Sequence, residues 1–192
     1  MFLDLFLNLV GLIVFLFLFW RKLKEDYSRE IIFASAFWTV LGLASGSMVG
    51  GRYFPGWVFW FEAFGAFLGF SLGVFKYSLR FFEAFEAAFF ALLPWLVFLN
   101  LIRNLILAGF AVALIGLYLY LNRSYKSFTW YKSGRIGLAG LLVAGAFFLA
   151  RMILAIFAPH MLSLAGRSEA ILSGISAFTI FLLVYNLARS ET

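Results

Sequence analysis

Apolar residues along this chain fall into runs of roughly twenty, separated by short clusters of charge. Seven such runs stand out, at about 2–20, 31–50, 55–75, 83–102, 105–121, 136–158 and 170–188. About 20 mostly apolar residues are what one helix needs to cross the hydrocarbon core of a bilayer. The pattern therefore predicts an all-α, polytopic membrane helix bundle of about seven transmembrane helices, with six as the fallback. The fourth and fifth runs are divided only by Arg103 and Asn104. Read without a break, 83–121 would be a helix of about 58 Å, nearly twice the thickness of a bilayer core. A tight turn or a sharp kink is required there.

Composition removes the water-soluble alternative. The chain has 192 residues, 65% of them hydrophobic and only 12% charged, with a mean hydropathy of +1.01. Soluble domains are about half apolar and about a quarter charged, and a chain this short has too little interior to hide such an excess. There is no Cys and a single His. That excludes disulfides and a cysteine nucleophile, and it argues against a zinc or haem site. No metal and no cofactor is expected.

The net charge of +6 is explained by its distribution. Arg21, Lys22, Lys24, Arg29, Lys76, Arg80, Arg123, Lys126, Lys132, Arg135 and Arg189 all fall in loops on one side of the predicted bundle. Arg52, Arg103 and Arg167 lie on the other side, and Arg151 lies inside the sixth run. The positive-inside rule places the basic side in the cytoplasm, so the N-terminus is expected outside and the C-terminus inside. A nucleic-acid partner is not expected. The first run lacks a basic start and a small-residue cleavage site and is followed by RKLK, which predicts a retained span and not a cleaved signal. No linker or clear repeat divides the chain, so 1–192 is read as a single transmembrane domain.

Packing residues show in the same pattern. Gly42, Gly46 and Gly50, then Gly65, Gly69 and Gly73, are each spaced four apart. Such spacing lines one helix face with small residues and lets two helices approach closely. Trp57 and Trp60 near one interface, and Trp130 and Tyr131 near the other, fit aromatic belts.

Candidate chemistry is sought where polarity is costly, since an ionisable group at the bilayer centre costs about 2.5–3.5 kcal/mol on insertion scales. Glu62, Glu86, Arg103 and Arg151 fall inside the runs or at their edges, with Arg52 and Tyr53 where the second run ends. In the expected orientation Arg52, Glu62, Arg103 and Arg151 share the outer level. Three guanidinium groups beside one carboxylate suit a phospholipid headgroup, because guanidinium forms paired hydrogen bonds to phosphate and stays charged. The structural alternative is ion pairing of Glu62 with Arg52 or Arg151, or snorkelling of the arginines to the interface. Glu83 and Glu86 are expected at the inner boundary, facing headgroups or paired with Arg80. His160 is expected in an outer loop.

At these residues the order of features resembles the bacterial prolipoprotein diacylglyceryl transferase family. LGLASGSMVGGRYF is similar to that family's glycine-rich helix closing in an Arg. WFEAFGAFLGFSLG resembles its Trp-acid-Gly-Gly segment. FEAFEAAFFALLPWLVFLNLIRN is similar to the helix ending in Arg-x-Gly-Asn, and FFLARMILAIF to the late helix carrying an Arg. The resemblance covers about residues 30–157 and implies seven helices in the bacterial inner membrane, with the N-terminus outside. The chain departs from it where Leu68 stands at the family's signature His and Ala155 at the late-helix Glu. Arg103-Asn104 is all that remains of Arg-x-Gly-Asn, and the family's outer soluble segment is missing.

The resemblance implies transfer of diacylglyceryl from phosphatidylglycerol, or another anionic phospholipid, to the lipobox Cys of a prolipoprotein signal segment. Arg103 and Arg151 would then be catalytic, stabilising charge on the departing phosphate, while Arg52, Tyr53, Glu62 and Asn104 would bind the phospholipid. The alternative is a catalytically degenerate lipid-binding scaffold or small transporter, favoured by the lost His and Glu.

Overall fold

The computed structural model describes residues 2–102, 104–124, 137–158, 162 and 167–189. Its elements follow the hydropathy pattern in order: α1 Phe2–Leu23, α2 Arg29–Tyr53, a 3-10 turn Pro55–Trp57, α3 Val58–Lys76, α4 Phe81–Asn100, α5 Leu105–Ser124, α6 Leu138–Phe157 and α7 Arg167–Arg189. All seven helices are long and apolar enough to cross a membrane, which marks a multi-pass membrane protein, and the described residues form no strand. Trp130, Tyr131 and His160, whose places were anticipated from sequence, lie outside the described residues.

The break between the fourth and fifth runs is a turn, not a kink. α4 ends at Asn100, whose carbonyl accepts from the Asn104 amide at 2.8 Å. Asn104 then caps α5: its Oδ1 accepts from the Leu107 amide at 3.2 Å, satisfying one of the donors a helix start leaves open. Pro94 sits inside α4, which continues through it.

The most extensive helix contact is α2 on α3, and the two glycine stripes make it. A Cβ added to Gly42 would overlap the Gly65 carbonyl, and one on Gly65 would overlap the Gly42 carbonyl. The same holds for Gly46 against the Phe61 carbonyl and Gly69 against the Trp38 carbonyl. Between apolar helices in lipid, van der Waals contact at this range is a main source of association.

α6 packs along α7, and α1 along α4; α4 also meets α5 and α6. Ala84, Ala87, Ala88 and Ala91 give α4 the slim face on which Phe15 and Phe19 of α1 rest. That cluster reaches α2 and α3 through Ile32, Ala36, Phe70 and Val74, all in the halves of those helices nearest the basic loops. At the opposite end α3 reaches α6 through long side chains, among them Phe59 on Phe147 at 6.0 Å and Trp60 on Phe148 at 5.9 Å between ring centroids. Gly137, with φ +108°, opens α6 where a side chain would collide with the Phe82 carbonyl; the left-handed region suits glycine there.

Candidate functional site

The costliest groups in the bundle are an arginine and a carboxylate that α6 and α7 bring together. Arg151 is 8% exposed and Glu169 fully buried. Arg151 donates to Glu169 Oε1 twice, from Nε at 2.9 Å and Nη2 at 2.6 Å. Ser173, one turn further along α7, donates its hydroxyl to the same oxygen at 3.2 Å. The other oxygen accepts from the Trp60 indole nitrogen at 2.8 Å, across from α3. The guanidinium carbon lies 3.5 Å from the centre of the Phe59 ring. A buried ion pair is tolerated only when geometry and further hydrogen bonds offset desolvation. Here four hydrogen bonds and a stacked ring meet that condition.

Local sequence explains the placement. Glu169 is in the first turn of α7, where the helix dipole favours negative charge. Glu169 and Ser173 are four apart and so share a face. The 3-10 turn Pro55–Trp57 feeds α3 so that Phe59 and Trp60, adjacent in sequence, flank the pair from two directions. Trp60 therefore serves as a hydrogen-bonding strut between helices, where the sequence pattern suggested an interface belt; Trp57 is the exposed one.

The other residues anticipated at this level make no hydrogen bond or ion pair with Arg151 among the described residues. Arg52 is exposed at the end of α2, and Tyr53 beside it is 70% exposed. Glu62 is half-buried and accepts from the Ser47 hydroxyl at 2.8 Å, which joins α3 to α2. Neither Arg52 nor Arg151 pairs with Glu62 among the described residues, so the anticipated ion pair is replaced by Arg151 with Glu169. Asn104 is committed to capping α5. Arg103 lies outside the described residues.

Leu68, at the position matched to the family's signature His, is 46% exposed on α3. It is nine residues from Phe59, and at about 100° per residue that is the opposite side of the helix. A proton carrier there would face away from Arg151. Ala155 is buried on α6. Glu169 was missed because the seventh apolar run starts at 170 and so leaves the acid outside it. The available signals were a charged residue within a span, which demands a partner, and an acid and a serine spaced four apart at the start of the next helix.

A second polar knot lies toward the basic end. Glu86 Oε1 accepts from Lys22 Nζ at 2.9 Å and from the Tyr118 hydroxyl at 2.7 Å. Gly140 lets α6 press on Glu86 itself. Glu86 thus ties α1, α4 and α5 from a buried position and does not face headgroups. Glu83 is buried too, within 4.0 Å of Arg80 and 3.4 Å of the Tyr27 hydroxyl.

No family model, no curated protein and no solved structure matches this chain.

Proposed function

We propose that this chain is a multi-pass protein of the bacterial inner membrane, with its N-terminus outside and its C-terminus in the cytoplasm. In this reading it takes an anionic phospholipid headgroup, phosphatidylglycerol above all, at the Arg151 end and acts as a prolipoprotein diacylglyceryl transferase does. The observation that carries the reading is Arg151: a guanidinium within an apolar helix, held rigid by Glu169 and Phe59, whose Nη1 makes no hydrogen bond among the described residues. Cations held in place before a reaction stabilise developing charge most effectively.

The chemistry would be a displacement at the glyceryl carbon next to the phosphate. The acceptor thiolate sulfur bonds that carbon, the carbon–oxygen bond to phosphate breaks, and glycerol phosphate leaves with the electron pair. The thiol proton passes to water before attack. Arg151 and Arg103 would meet the departing phosphate, with Arg52 and Tyr53 toward the headgroup and Glu62 deeper on α3, while Asn104 is left to cap α5. A phosphatidylglycerol and lipobox-peptide assay tests this. The expected result is a diacylglyceryl mass gain on the peptide, lost in Arg151→Lys, which keeps the charge beside Glu169 but removes the second guanidinium edge.

A second reading is favoured by one feature: Leu68 faces away from Arg151, which leaves no proton-transfer group at the matched position. Under it the protein binds lipid as a scaffold without turnover. Phosphatidylglycerol that co-purifies but never labels the peptide would select it.

A further inference from the structure

Arg151 already holds an anion, and the anion belongs to the chain. Glu169 Oε1 takes both Nε and Nη2, while Phe59 covers one face of the guanidinium plane. Nη1 is the remaining nitrogen, and it is not among the buried side-chain atoms sealed from solvent without a partner. The carboxylate is itself fixed, by Trp60 on one oxygen and Ser173 on the other. A carboxylate and a phosphate are recognised by the same planar guanidinium fork. An arriving headgroup phosphate therefore meets an arginine whose charge is cancelled and whose better edge is occupied.

We propose that Glu169 is a built-in competitor that sets the headgroup specificity of Arg151. It weakens binding of anionic lipid by occupying the guanidinium edge the phosphate would use. The proposal rests on the reading that Arg151 receives a phospholipid headgroup. Without the Glu169 charge, Arg151 is a desolvated, uncompensated cation, and an anionic lipid becomes the partner that neutralises it. A zwitterionic lipid brings no net charge and gains little.

The test uses the purified full chain and lipid retention by native mass spectrometry, titrated with phosphatidylglycerol and with phosphatidylcholine. Glu169→Gln is expected to bind phosphatidylglycerol about tenfold more tightly than the wild type, equivalent to about 1.4 kcal/mol, with phosphatidylcholine unchanged. The new amide nitrogen would face either Arg151 or the Trp60 indole, donor against donor. The double variant Trp60→Phe/Glu169→Gln relieves that clash and is expected to show the same gain. Unchanged phosphatidylglycerol affinity in both variants overturns the competitor. If the wild type nonetheless retains phosphatidylglycerol and Arg151→Gln/Glu169→Gln loses it, the headgroup reading stands alone. If no variant prefers phosphatidylglycerol over phosphatidylcholine, both fall.

Discussion

Trp60 and Glu169 are 109 residues apart in the chain and share a 2.8 Å hydrogen bond. That bond joins α3 to α7 with no extensive packing of the two helices on each other. The α2–α3 pair and the α6–α7 pair are thus closed against one another, at the end away from the basic loops, by side chains: one indole hydrogen bond, Arg151 on Phe59, and two aromatic contacts.

Trp60→Phe follows directly from this geometry. Phenylalanine keeps a ring to set against Phe148 but removes the donor to Glu169 Oε2. A buried acceptor left without its partner costs about 1–3 kcal/mol. The variant is expected to melt at a lower temperature in detergent, whereas Trp57→Phe, at an exposed position, is expected to melt as the wild type does. Equal melting of Trp60→Phe and wild type would show that the strut carries no stability.

Removing one partner of the Arg151–Glu169 pair should be far worse than removing both. Arg151→Ala leaves a fully buried carboxylate with no counter-charge, and breaking such a pair costs about 3–5 kcal/mol. Arg151→Ala/Glu169→Ala removes the orphaned charge as well, and its stability should return most of the way to that of the wild type. A double-mutant cycle read by thermal unfolding measures the coupling. Additive losses would mean the two side chains act independently.

The helices were legible in the sequence because each must supply its own apolar length, and hydropathy records that directly. The break after Asn100 was legible too, because a helix through it would have outrun the bilayer. The glycine stripes of α2 and α3 marked faces fit for close approach by spacing alone, and packing shows that they meet each other. The site was only half legible. Arg151 declared itself as a charge inside an apolar run, but its partner sits just before the next run, in the first turn of α7. Hydropathy places Glu62 inside an apolar run and Glu169 just outside one, which points to the wrong acid. Which acid meets Arg151 depends on the rotation of α3 and α7 about their axes, and a single sequence does not encode that in any local pattern. Trp60 shows the same limit: the chain marks a tryptophan near an interface, and only packing decides whether its nitrogen faces headgroups or Glu169.

The glycine interface yields a prediction with an internal control. Gly42→Ala and Gly65→Ala each place a methyl group against a backbone carbonyl of the facing helix, and a backbone gives way less easily than a side chain. Either variant should push α2 from α3 and lower the melting temperature. Gly109 and Gly116 of α5 have nothing within 4 Å of the same position. Alanine there should be neutral or stabilising by about 0.5–1 kcal/mol, the usual gain over glycine within a helix. Similar losses at all four positions would point to a general intolerance of substitution, not to close approach of α2 and α3.

Topology can be read with cysteines, since the chain has none of its own. Gly51 lies near the end of α2 with open space around it, and Asn122 is exposed near the end of α5 beside Arg123. The eleven basic residues that the sequence pattern assigns to one side favour that side in the cytoplasm. In intact cells, a membrane-impermeant maleimide is therefore expected to label Gly51→Cys and to spare Asn122→Cys until the membrane is opened. The reverse pattern would turn the bundle over and place Arg151 and Glu169 in the cytoplasmic half. A secreted acceptor and an outer-leaflet lipid would then have no access to the site, and the transfer reading would fail on geometry alone, whatever the lipid affinity of Arg151.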